Sequence, residues 1–150
     1  TVNLDESNFT SLSGFSRKLM VLEGETMLIH ENHHSKMVQK FEIDSFQGDW
    51  KTKSVGKCSD FNVITKPEIA SELYHLKICN DEILNLNYNL QTTFILIYVF
   101  DGRIELKICD MSYEIEKGNL LIIENVKNEK ISILGKSKSD IIVSEIIYQS

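Results

Sequence analysis

The chain has 150 residues, with 16 Lys and Arg against 22 Asp and Glu, a formal net charge of −6. A field of that sign repels phosphate backbones, so nucleic acid is not an expected partner. Hydrophobic residues make up 42% and charged residues 25%, the balance of a packed core, yet the longest apolar run, residues 94–100, is far too short to span a bilayer as a helix, so no membrane role is expected.

No positively charged start leads into an apolar signal segment, which points to a cytoplasmic protein. Cys58, Cys79 and Cys109 are widely spaced and form no CxxC pair, in keeping with reduced thiols and against a zinc knuckle.

Residues 18–22 and 26–30 flank Glu23-Gly24-Glu25 and read as a hairpin with Gly24 at a positive φ. Residues 31–36 read as a polar loop. Residues 37–43 alternate in polarity and suggest a strand with one buried face. Residues 45–49 carry Gly48 and read as a turn, and residues 50–55 as a short strand. Pro67 is the only proline, and residues 65–67 mark the best boundary, because proline breaks strand pairing. This divides the chain into 1–66 and 67–150.

Beyond it, residues 68–75 fit a helical turn and residues 72–78 equally a strand. Residues 83–89 alternate with period 2. Residues 93–100 form a strand, Asp101-Gly102 a turn and residues 103–109 a strand. Residues 113–116 lead to Lys117-Gly118 and a strand at 120–124, and strands at 131–134 and 141–148 complete the set. The order "strand, Gly turn, strand, Gly turn, strand" echoes residues 20–50. The fold class is therefore all-β, an internal repeat in which each copy is one small barrel.

The histidines are His30, His33, His34 and His75. No HxH pair occurs, and the second half from Phe94 onward has no histidine. His30 and His34 share parity, but the residues between them are loop-like, so a solvated polar loop is the expected reading. No metal site, metal-dependent oxygenase chemistry or cofactor is expected. No G-x-S-x-G elbow, phosphate loop or dinucleotide glycine motif is present, and no catalytic residue is assigned.

The blocks SLSGFSRKLMVLEG, FEIDSFQGDW and CSDFN run in this order through residues 11–62, and together they resemble the HutD/Ves family. The resemblance implies a bicupin, two double-stranded β-helix (jelly-roll) barrels in one chain. Family members start earlier, so it also implies that the first barrel lacks an N-terminal part here. The implied function is metal-free binding of a small carboxylate, such as formylglutamate, in histidine utilisation or stress response.

Arg17 occupies the family's Gly-x-x-Arg position, and an arginine at a barrel mouth can grip a carboxylate with two parallel N–H bonds. The bland alternative pairs it at the surface with Asp5 or Glu6. Phe46 and Gly48 match the F-x-G-D element, as a pocket wall or core aromatic and as a turn or close-approach glycine. Asp60 and Asn62 match the DFN block. Being two apart on a strand, they share a face, and Asn62 offers both a donor and an acceptor. Val63-Ile64-Thr65-Lys66 departs from the family's usual Leu-Met and following Arg.

Two other functions compete with binding. A metal-independent cupin isomerase or lyase would use His30 and Asp60 as acid and base. A structural module without ligand would associate, as a homodimer for example, through Ile-rich edge strands such as residues 141–147.

Overall fold

The computed structural model describes residues 5–148, and among them every regular element is a β-strand. The chain divides into two compact units, Thr1–Glu68 and Ile69–Ser150.

The first unit contains β1 (Glu6–Asn8), β2 (Ser16–Gly24), β3 (Thr26–His30), β4 (Ser35–Val38), β5 (Ile43–Gln47), β6 (Thr52–Val55) and β7 (Cys58–Thr65). Its sheets run β1-β6-β3-β4 and β5-β2-β7. Leu19 and Val21 from β2 and Phe46 from β5 share a core with Leu28 from β3 and Val38 from β4, so the two sheets face each other.

The second unit contains β8 (Ile69–Ile78), β9 (Ile83–Asn85), β10 (Phe94–Asp101), β11 (Arg103–Ile108), β12 (Met111–Glu116), β13 (Leu120–Glu124), β14 (Ile131–Gly135) and β15 (Ser139–Tyr148). Its sheets run β9-β14-β11-β12 and β13-β10-β15-β8. Strands β1 to β7 and β9 to β15 thus repeat one jelly-roll plan. The second core is largely hydrocarbon and includes Ile95, Ile97, Val99, Ile104, Leu106, Ile133, Ile141 and Val143, together with a buried carboxylate, Glu145, which pairs with Ile95 in the register and accepts from Tyr74 Oη, Thr92 Oγ1 and Asn89 N–H. Each such fully buried hydrocarbon side chain contributes about 1.5–3 kcal/mol.

Several expectations need correction. Residues 18–22 and 26–30 do not form a hairpin: β2 pairs with β5 and β7, whereas β3 pairs with β4 and β6. Gly24, at φ 77°, is the corner where the chain leaves one sheet for the other. A Cβ there would lie 2.3 Å from the Lys57 carbonyl oxygen, so the corner admits only glycine. The alternating residues 37–43 are two strands, because β4 stops at Val38 and Phe41 turns the chain at φ 65°. Phe41 N–H donates to the Val21 carbonyl at 2.6 Å, as Gly118 N–H donates to the Val99 carbonyl at 2.8 Å in the second unit. A phenylalanine in a glycine's position concealed this turn. Residues 69–78 are strand throughout, not a helical turn. Finally, β15 lies between β10 and β8, so residues 141–147 are not an edge available for pairing between subunits. Among the described residues no helix is long and apolar enough to cross a membrane.

Candidate functional site

The shared plan lets the two barrel interiors be compared position by position. The cross-strand pair Leu19↔Asp44 matches Ile97↔Leu121, and Arg17↔Phe46 matches Ile95↔Ile123. Val21↔Asp60 and Leu19↔Asn62 match Val99↔Ile141 and Ile97↔Val143. His30↔Thr52 and Leu28↔Ser54 match Ile108↔Ile131 and Leu106↔Ile133. Arg17, His30, Asp44, Thr52, Ser54, Asp60 and Asn62 therefore occupy positions that the second unit fills with isoleucine, leucine or valine. Arg17, His30, Asp44, Thr52 and Ser54 are buried there, and burying polar groups costs free energy that burying hydrocarbon does not. The second unit shows that a barrel of this plan can fill these seven positions with hydrocarbon, while it places the buried Glu145 where the first unit has Ile64.

Arg17 is 8% exposed, which removes the surface pairing with Asp5 or Glu6. Its guanidinium carbon lies 4.9 Å from the Phe9 ring centre and 5.3 Å from that of Phe46, a cation held between two aromatic faces. One terminal N–H donates to the Thr10 carbonyl at 3.4 Å, and Nε is buried with no hydrogen-bond partner. Among the described residues no carboxylate forms an ion pair with it. Burial lowers its pKa, opposed by the nearby Asp60 charge. Asn62 Oδ1 is likewise buried without a partner. An unmet buried donor and an unmet buried acceptor each cost about 1–3 kcal/mol.

Asp60 is exposed, and its register sets it opposite Val21 on β2. Partial burial still holds its carboxyl above the usual carboxylate range, with Arg17 pulling it back down. Asp60 shares a cavity of about 280 Å³ with Phe9, Leu19, Thr26, Leu28 and Cys58. That volume lies just below the range of small-molecule sites, about 300–1,000 Å³. Burial, then Asp60, pushes the Cys58 thiol up, against a hydrogen bond with Thr26, so the thiol stays protonated.

The sequence-derived residues do not all meet. Arg17 and Phe46 are in contact, Asp60 and Asn62 share the inward face of β7, and Phe9 joins the Arg17 cluster to the cavity. Gly48 is elsewhere in function. Its N–H donates to the Phe15 carbonyl, and its carbonyl accepts from Leu12 N–H, both at 2.7 Å. A Cβ would sit 2.2 Å from the Leu12 oxygen, so the close approach this glycine permits is to backbone.

A second cluster escaped the sequence reading. His30 is not in a solvated loop; it ends β3 and is 2% exposed. Asp44, 5% exposed, accepts from His30 Nε2 at one oxygen and from His34 Nε2 at the other, both at 2.7 Å. A carboxylate only accepts, so a neutral His30 accepts at Nδ1 a hydrogen bond from the Thr52 hydroxyl, also 2.7 Å away. The His30 ring lies 4.5 Å from Phe46, and His33 stacks on Trp50 at 3.7 Å. The available signal was the repeat itself: aligning residues 26–30 with residues 104–108 sets His30 on the inward position of Ile108.

The two jelly-roll barrels in one chain define a bicupin. The HutD family profile matches residues 1–142, and the chain belongs to that family. The fold is shared with a conserved protein of unknown function, PA5104, from Pseudomonas aeruginosa PAO1. That match has a TM-score of 0.84 at 16% identity, covering 98% of this chain and 79% of that one. HutD from Pseudomonas fluorescens SBW25, determined in a formate condition, gives 0.70 at 16% identity, covering 98% and 76%. The bacterial pirin YhhW from Escherichia coli, in complex with nickel(II), gives 0.70 at 13% identity, covering 98% and 77%. No curated protein sequence matches the chain.

Proposed function

We propose that the first barrel binds a small carboxylate, of the formylglutamate class, and that the protein acts by recognition in histidine utilisation or stress response. The observation that carries this reading is the Arg17 guanidinium, buried between Phe9 and Phe46 with Nε unpartnered. A planar carboxylate meets that need with charge-assisted bonds, which are about twice as strong as neutral ones. Asn62 offers a buried acceptor on the same inner face, suited to an amide N–H of the ligand. Asp60 sets a second requirement. A ligand carrying a donor as well as a carboxylate, as an N-formylamino acid does, suits both ends better than a simple anion. The formate condition in which the HutD structure was determined makes formate a sensible probe.

Thermal denaturation against millimolar formate, N-formylglutamate, glutamate and urocanate tests the reading. A ligand at about 100-fold excess over Kd adds about 2.7 kcal/mol of stability. N-formylglutamate should raise Tm by several degrees in the wild type and not in Arg17→Ala. No shift from any member of the panel would contradict it.

A second reading, a metal-independent isomerase or lyase, gains from one observation: His30 is buried in the same barrel as Arg17, with Phe46 touching both. It requires turnover of the bound carboxylate, followed by NMR, that disappears in His30→Gln.

A further inference from the structure

The His30–Asp44–His34 cluster has a composition that hydrogen bonding alone does not require. In the second unit the places of His30 and Asp44 are filled by Ile108 and Leu121, with Ile131 opposite Ile108. An imidazole and a carboxylate are costly replacements in a barrel core, because the carboxylate is buried with only two N–H groups facing it, one of them from the exposed His34. One divalent cation would neutralise that carboxylate and take up both nitrogen lone pairs.

We propose that His30 Nε2, His34 Nε2 and an Asp44 carboxylate oxygen form a binding site for a late first-row divalent metal ion, with Zn²⁺ the simplest case. The three donor atoms lie within 4.8 Å of one another. Coordination at about 2.0–2.1 Å sets tetrahedral donors about 3.3 Å apart. Each imidazole now meets a different Asp44 oxygen at 2.7 Å, so the pair that shares the ion must open by about 0.6 Å. The His34 side chain is 43% exposed, so the adjustment falls at the surface, where it also leaves an entry path and a fourth position for water.

The outer partner is in place as well. Binding through Nε2 requires the proton on Nδ1 of His30. That N–H then donates to Thr52 Oγ1 at 2.7 Å, and the Thr52 hydroxyl turns to the Trp50 carbonyl at 3.4 Å. A neutral His30 needs only this shift of one proton from Nε2 to Nδ1, and a neutral His34 the same shift on its own ring, with none gained or lost. Ligating histidines are commonly fixed in this way through the second ring nitrogen. Two imidazoles with one carboxylate suit Zn²⁺, Ni²⁺, Cu²⁺ and Co²⁺ and disfavour Ca²⁺ and Mg²⁺, which take oxygen donors.

Trp50 is the only tryptophan, and its ring centre lies 5.6 Å from that of His30 and 5.7 Å from that of His34. Its fluorescence therefore reports directly on the site. Titration of the full chain with Ni²⁺ should quench Trp50 saturably at one ion per chain. Zn²⁺ should reverse the quenching by competition and raise Tm, and Mg²⁺ should do neither. His34→Gln, at an exposed position, should weaken binding at least about tenfold, and Thr52→Val, which removes the outer hydrogen bond, by about tenfold. His33→Ala should leave the midpoint unchanged. The proposal is overturned by an absence of saturable quenching, or by binding that survives His34→Gln and disappears with His33→Ala, which would mark adventitious surface binding.

Discussion

At the scale of single residues, Arg17 and Asp60 set opposite electrostatic conditions within one barrel. Asp60 is pushed above the usual carboxylate range by partial burial, with Arg17 countering in part. A carboxyl whose folded pKa lies above its unfolded value contributes stability that is present at low pH and lost as pH rises through the folded pKa. Asp60→Asn stays neutral throughout. Urea midpoints of the two proteins should therefore agree at acid pH and diverge above the carboxylate range, with the variant the more stable. A wild type more stable than the variant near pH 7 would show that Arg17 gains more from Asp60 than burial costs. Arg17 was legible from its position after Gly14-Phe15-Ser16; its burial was not, because Phe9 and Phe46, which cover it, lie 37 residues apart in sequence.

At the scale of elements, turns and corners decide where strands end. Gly48 sits where the turn after β5 meets residues 12–15 backbone to backbone. Gly48→Ala drives a Cβ into the Leu12 carbonyl at 2.2 Å and should cost about 1–3 kcal/mol, the usual range for overpacking. Urea denaturation measures this, and a loss below about 0.5 kcal/mol, ordinary for an unconstrained surface site, would show that the contact relaxes freely. Strand existence was largely readable, because period-2 alternation survives in β6, β10 and β11. Strand partners were not. A glycine between two strands signals a reversal of chain direction, but jelly-roll corners and hairpins share that signal, and only the paired registers of β2 and β3 separate them. The Phe41 turn was unreadable for a different reason: its φ of 65° is held by hydrogen bonds to Val21 and not announced by residue type.

At the scale of the whole molecule, one architecture has been given two interiors. The second unit fills the places of His30, Asp44 and Thr52 with hydrocarbon and keeps a buried carboxylate, Glu145, at the place of Ile64, so the plan itself does not call for polar groups at those three places. Replacing His30, Asp44 and Thr52 together by Ile, Leu and Ile, the residues at Ile108, Leu121 and Ile131, should preserve the fold. It should raise the unfolding free energy by about 1–4 kcal/mol, as when a buried ionic cluster is exchanged for packed hydrocarbon. Replacing Asp44 alone should destabilise by about 1–3 kcal/mol, because two imidazole N–H groups lose their acceptor. A triple variant that fails to fold would mean the polar cluster is structural. The repeat was visible in the sequence as a rhythm of strands and glycines. Its meaning needed the registers, because only an exact pairing such as Leu19↔Asp44 against Ile97↔Leu121 reveals which polar residues stand in core positions.

The chain contains two arginines, Arg17 and Arg103. Arg17 Nε is buried and unpartnered, whereas Arg103 is exposed. The Nε–H resonances of the two, followed by ¹H–¹⁵N NMR as N-formylglutamate is added, test the central claim most directly. The Arg17 resonance should move downfield and saturate as its Nε–H acquires a carboxylate acceptor, while that of Arg103 stays fixed. An Arg17 resonance that does not move under saturating ligand, or that drifts together with Arg103, would contradict carboxylate recognition in the first barrel.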